Sequence, residues 1–218
     1  MKIIATLTGA FCAMAVTTLG AAPISSTFDT STDGWTAFGD TAAPVSFVAT
    51  GGNPGGFIQV LDSVSGGVMY FTAPAKFLGN ESQAYGTNLT FDLMQFYTDP
   101  PNQFADSVGD VLLTGSGTTL AFDTPSNPAN GSWSSYSVPL LANAGWHLND
   151  LNGAAPSAAQ MELVMADLTA LSIRAEYQTG PDTDSLDNVQ MAPEPSTLTL
   201  MIAAGYIMTF VIRRRQSA

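Results

Sequence analysis

The chain has 218 residues and carries 18 Asp and Glu against 6 Lys and Arg, a formal net charge of −12. So acidic a chain cannot neutralise phosphates, which excludes nucleic-acid binding and disfavours anionic membrane surfaces. Its one cysteine, Cys12, lies in the first apolar run, so the body has neither disulfide nor thiol chemistry.

Met1 to Ala22 reads as a secretory signal peptide. Lys2 gives the positive start, Ile3 to Leu19 the apolar stretch, and Gly20-Ala21-Ala22 the small residues at the cut. Pro23 makes cleavage directly after Ala22 awkward, so cleavage after Gly20 or Ala21 is expected; an uncleaved anchor is the alternative. Cys12 does not read as a lipoprotein cysteine, because the bulky Phe11 stands where a small residue is needed. Removing both apolar ends leaves Pro23 to Ala192, one domain long enough to bury a core.

That body has a β pattern. Short runs rich in Val, Phe, Tyr, Thr and Ile are separated by Gly, Pro, Asn and Asp. Strands are predicted at Val45–Thr50, Phe57–Asp62, Val68–Ala73, Leu89–Tyr97, Val111–Thr114, Thr118–Phe122, Ser134–Leu140, Leu171–Tyr177 and Ser185–Met191. Leu89, Phe91 and Leu93 alternate with Thr90, Asp92 and Met94, so one face is expected to be buried. Ala158, Met161, Val164, Met165 and Leu168 recur at helical spacing, which predicts a helix over 157–168. Asp99–Asp106 and Asp123–Gly131 read as the longest loops. Many short antiparallel strands argue for an all-β sandwich or jelly roll.

Few residues in the body point to catalysis. His147 is the only histidine, so a Ser-His-Asp unit would rest on it entirely; beside Trp146 in a Gly- and Asn-rich stretch it reads as loop packing. No carboxylate pair is selected by spacing for glycoside hydrolysis, and the many acids read as solvated loop residues. Trp35, Trp133 and Trp146, with Tyr85, Tyr97 and Tyr136, could stack on sugar rings or pack the core. Trp146 and Tyr97 are the glycan-binding candidates, while Trp35 reads as core. Arg174 reads as one half of a structural ion pair. The run from Gly51 to Gly56 is a turn, not a phosphate cradle, since it lacks a lysine and a following helix.

The tail is Pro193-Glu194-Pro195-Ser196, an apolar run of 15 residues from Leu198 to Ile212, then Arg213, Arg214 and Arg215. The prolines end the preceding fold and hold an extended stretch. The apolar run would enter a bilayer as a transmembrane helix, though it is short against the ~20 residues usually needed to span. The arginines would stay on the cytoplasmic side. In this order and place the tail resembles the PEP-CTERM sorting signal of Gram-negative bacteria that make exopolysaccharide. That resemblance implies recognition by an exosortase-type membrane protease, loss of the tail, and delivery to the cell envelope or extracellular matrix. A permanent membrane anchor is the alternative.

A second resemblance covers most of the body. Phe71-Thr72-Ala73-Pro74, Lys76-Phe77-Leu78-Gly79-Asn80, Ala84-Tyr85-Gly86 and Leu89-Thr90-Phe91 resemble the opening of the laminin B (laminin IV type A) domain. Asp110 to Gly115, Asn130 to Tyr136, Gly145-Trp146, Leu163 to Ala175 and Ser185 to Val189 follow in that domain's order. Phe28-Asp29 through Asp33-Gly34-Trp35 resembles the first strand region of galactose-binding-like jelly rolls. The resemblance implies a galactose-binding-like β-jelly roll sandwich, an extracellular setting and no catalytic residues. In such jelly rolls a structural calcium often ties the first strand region to the last, which would fall on Asp33 and Asp187. The chain thus reads as residues 1–22 signal peptide, 23–192 β-sandwich and 193–218 sorting signal. Its expected role is a non-enzymatic matrix or adhesion protein that binds exopolysaccharide or neighbouring proteins. A carbohydrate-active enzyme, or its accessory binding module, is the alternative.

Overall fold

Strand β12, Asp182–Met191, is the axis of the molecule. In this computed structural model, which describes residues 22–40, 43–62, 66–98 and 107–192, β12 pairs antiparallel with three other strands. Its first half pairs with β4 (Gly55–Asp62), its whole length with β6 (Asn88–Phe96), and its last residues with β1 (Ile24–Ser26). Strands β3 (Ser46–Gly52) and β9 (Ser134–Pro139) complete this first sheet, in the order β3-β4-β12-β6-β9 with β1 beside β12.

The second sheet runs β10-β8-β7-β11-β5-β2. It comprises Trp146–Leu148 (β10), Thr118–Phe122 (β8), Val111–Gly115 (β7), Leu168–Arg174 (β11), Met69–Thr72 (β5) and Thr36–Gly39 (β2). All pairings within both sheets are antiparallel. The protein is therefore an all-β sandwich of two antiparallel sheets. The alternation read from the sequence explains it: Leu89, Phe91 and Leu93 point inward and are buried. They meet Val111, Leu113, Leu171, Ile173 and Phe71 of the other sheet in one core. Burial of this apolar area is the main term holding the sheets together.

Helix α1, Ala158–Ala166, packs on β7 and β8. Its start is a reciprocal capping box: Gln160 N–H donates to Ser157 Oγ at 3.3 Å, and Ser157 N–H donates to Gln160 Oε1 at 2.9 Å. Met161, Val164 and Met165 are its buried face. The predicted helix is two residues too long at its end, because Leu168 is the first residue of β11, and Ala158 is exposed. Sequence alternation also missed β1, β2 and β10, which have three or four residues each, too few to show a period.

The predicted leader, the loop 99–106 and the tail, including Pro193, Glu194, Pro195 and Arg213 to Arg215, lie outside the described residues. So does the apolar run expected to form a transmembrane helix. Among the described residues no helix is long and apolar enough to cross a membrane.

Candidate functional site

Side chains along a strand alternate between faces, so the register of the first sheet assigns each of its residues to a face. On the outward face, Thr183 of β12 sits between Leu61 of β4 and Phe96 of β6 in one cross-strand row. Leu61 is 48% exposed and Phe96 55%. Two large apolar side chains flanking a threonine on an open sheet form a surface that a ligand can cover. Together with Tyr97, Thr98, Pro181 and Asp182 they line a shallow depression of about 160 Å³. Tyr97 is half-buried there, its backbone N–H and C=O both bound to the Asn130 side chain.

Further along the same face lies a polar cluster built on the glycine hairpin between β3 and β4. Asp187 Oδ2 accepts the Asn53 N–H at 2.6 Å, and Asp92 Oδ2 accepts from the side-chain amides of Asn53 and Asn188 at 3.1 and 2.8 Å. Gly52 and Gly55 are required here. A Cβ on Gly52 would lie 2.7 Å from Asp187 Oδ2, and one on Gly55, at φ +93°, 2.6 Å from Asp29 Oδ1. Burial pushes the Asp187 carboxyl up, as do Asp92 and Asp29, while the Asn53 and Asn188 N–H bonds pull it down; the net direction is up.

Asp33 belongs to a different network. It forms an ion pair with Lys76 and accepts the Ser26 hydroxyl at 2.8 Å. Burial opposes its ionisation, but the bonds from Lys76 and Ser26 win and hold its pKa below the usual value. Asp33 and Asp187, expected together at one calcium, have no partner in common. Asp33 is neutralised by the lysine, a poor start for a cation ligand.

Trp146 corrects the glycan expectation. Its ring is fully buried, packs 5.2 Å from Phe122, and its Nε1 donates to the Pro139 carbonyl at 2.6 Å. No sugar can stack on it as folded. The reason is β10, which joins the sheet edge beside β8 and turns the ring inward where a loop was expected. Trp35 is core, as its reading proposed, against Phe28 and Phe77. Trp133 is half-buried on the outward side, its Nε1 bound to Gly51 O at 2.9 Å. His147 Nδ1 lies 2.9 Å from the Gly153 carbonyl, a loop-closing contact.

The inward face behind the depression is acidic, which the reading of solvated loop acids did not foresee. Asp182 and Asp184 of β12 point into the sandwich, opposite Asp62 of β4 and Gln95 of β6. Glu176, just after β11, reaches the same end. Exposure is 0% for Asp62 and Glu176, 3% for Asp182, 1% for Asp184 and 0% for Gln95. Burial pushes the Glu176 carboxyl up to about 7, with the charges of Asp62, Asp182 and Asp40 adding to it. Burial likewise raises Asp182 to about 7 and raises Asp184 strongly, each beside the other. Arg174, the one cation close by, bonds Asp110 Oδ1 at 3.4 Å and the Glu176 carbonyl at 2.6 Å, with its guanidinium 4.8 Å over the Tyr177 ring. The expected structural ion pair of Arg174 is thus with Asp110.

Comparison with known proteins agrees with this architecture. Residues 70–194, more than half of the chain, match the family model described as Laminin B (Domain IV). Human laminin subunit gamma-2 is 32% identical over 200 residues, covering 84% of this chain and 15% of that protein. The horse laminin subunit gamma-2 is 32% identical over 155 residues, 63% of this chain and 12% of that protein. The chain therefore spans only a small fraction of these relatives' length. The L4b domain of human laminin alpha-2 superposes with a TM-score of 0.51 at 13% identity, over 62% of this chain and 79% of that one. An exo-beta-agarase gives 0.52 at 14% identity, over 80% of this chain and 25% of that one, a likeness of fold alone. The sandwich, its strand order in sequence and the matched residues together place this chain in the Laminin B (Domain IV) family.

Proposed function

We propose that this protein is a non-catalytic adhesion module that binds carbohydrate, exopolysaccharide in particular, on the outward face of its first sheet. The observation that carries this reading is the exposed row Leu61–Thr183–Phe96 beside Tyr97. Apolar and aromatic side chains next to the threonines Thr98 and Thr183 suit the mixed surface of a sugar ring. Family membership supports an extracellular matrix role, since laminin subunits are its relatives. The resemblance of the tail to a PEP-CTERM signal supports export, recognition of Pro193-Glu194-Pro195 by an exosortase-type protease, and delivery to the outer surface or matrix of a Gram-negative cell.

An enzymatic reading would need two carboxylates that a sugar can reach. Of the four buried acids on the inward side, Asp182 is the one that lines the depression. This favours binding over hydrolysis. The test is calorimetric titration of the purified protein with the host's extracted exopolysaccharide. Saturable binding that weakens about tenfold or more in Phe96→Ala and Tyr97→Ala supports the reading. No binding, or binding untouched by both variants, overturns it for this face. Reducing ends released over time would establish an enzyme instead.

A further inference from the structure

We propose that the acidic interior end of the sandwich is a binding site for a hard divalent cation, calcium, held by the carboxylates of Asp62, Glu176, Asp182 and Asp184 and the amide oxygen of Gln95. The site is on the inward side of the sheet and shares only Asp182 with the depression proposed to bind carbohydrate.

The register builds it. Asp62 pairs across strands with Asp182, and Asp184 with Gln95. Asp182 and Asp184, two apart on β12, share the inward face. The end of β11 brings Glu176 from the opposite sheet. Four segments thus bring oxygen groups, and no thiol or imidazole, to one end of the sandwich interior. That donor set matches calcium, which takes six to eight carboxylate, amide and carbonyl oxygens.

The cluster is more than a collection of acids. The side-chain oxygen of Gln95 is fully buried and receives no hydrogen bond, although its amide nitrogen is anchored on the Pro128 carbonyl. Both oxygens of Glu176 are likewise reached by no N–H or hydroxyl among the described residues, and the Asp184 carboxyl has the Asp182 carboxyl beside it. The Tyr177 hydroxyl, at the same end, has no partner either. Buried oxygens left without donors cost free energy, and buried charges cost far more unless paired. Cationic side chains are scarce in this body. The only Lys and Arg between residues 23 and 192 are Lys76, committed to Asp33, and Arg174, committed to Asp110 and the Glu176 carbonyl. Two neutralising agents remain: protons and a bound cation. Metal binding at carboxyl ligands displaces their protons.

Asp182 is also among the residues that line the outward depression, although both its carboxylate oxygens are buried. Among the described residues no three acidic side chains already converge on a single point. The ion must therefore draw them together, and binding tightens this end of the sandwich.

The test is calorimetric titration of the chelator-treated purified protein with calcium chloride at about pH 6 and about pH 8, in buffers of different ionisation enthalpy. The expected result is saturable binding at pH 8 that releases protons and weakens at least about tenfold at pH 6. Asp184→Asn and Glu176→Gln should each weaken it about 10- to 100-fold, while Asp33→Asn, on the Lys76 pair, leaves it unchanged. Absence of saturable binding at pH 8, or binding without proton release, overturns the proposal whether or not the variants fold. Binding that survives Asp184→Asn and Glu176→Gln but is lost in Asp187→Asn also overturns it, and would put the ion at the glycine hairpin.

Discussion

The two ends of the sandwich interior, both spanned by β12 and β6, are made of opposite materials. At one end Val189 and Met191 of β12 lie with Leu89 and Phe91 of β6, and Phe77 and Trp35 close over them. At the other, four to nine residues away along the same strands, Asp182 and Asp184 face Asp62 and Gln95. The apolar end is held by area removed from water and by close packing, which work at any pH. The acidic end depends on what neutralises it. One fold therefore contains a permanent half and a conditional half, and the strand register is what divides them.

The largest effect should come from breaking the permanent half. Phe91→Ala removes a ring stacked 5.3 Å from Tyr136 and leaves a cavity in the core. It should cost about 3–5 kcal/mol, read as a lower denaturation midpoint at unchanged pH dependence. A midpoint that hardly moves would show that the sheets do not pack as described.

The conditional half should show itself in pH. Glu176 rises from an ordinary 4.5 to about 7 in the folded protein, so the folded state binds more protons than the unfolded state between those values. Stability is then fully present below about 4.5 and falls as pH rises to about 7, by on the order of 3 kcal/mol for this group. Asp182, raised to about 7 as well, acts in the same direction. Urea midpoints measured in chelator from pH 5 to pH 8 should decline, and Glu176→Gln should flatten the decline. A midpoint rising over that range in the wild-type protein contradicts the buried cluster.

Two smaller changes sharpen the contrast by acting outside both halves. Ser157→Ala removes the cap of α1 and should cost about 1 kcal/mol at every pH, checked by thermal unfolding. Lys76→Ala removes a rim ion pair that is exposed on both sides, 38% and 39%, and should change stability by less than about 1 kcal/mol, less still in high salt.

Much of this molecule was readable in advance, and the reasons are local. Nine predicted strands and the helix have counterparts in β3 to β9, β11, β12 and α1, because their alternation or helical spacing is written in consecutive residues. The tail motif is readable for the same reason, as contiguous chemistry. Trp146 shows where local reading ends. Gly145-Trp146-His147 contains no period, and only its pairing with Phe122-Ala121-Leu120 makes it a strand and closes its ring to solvent. Tyr97, the residue after β6, lines the surface depression.

The acids mark the same boundary. Composition alone determined that the protein is strongly acidic and has almost no cations to spend, and pattern alone determined that it folds as a β-sandwich. Composition could not say which acids are buried. Asp182-Thr183-Asp184 looks like a solvated turn in the sequence, and Asp62 is the last residue of a predicted strand with nothing to say which way it faces. Only the pairing of β12 with β4 and β6 turns those side chains inward opposite one another, because a strand's face is fixed by its register with its neighbours and not by its own residues.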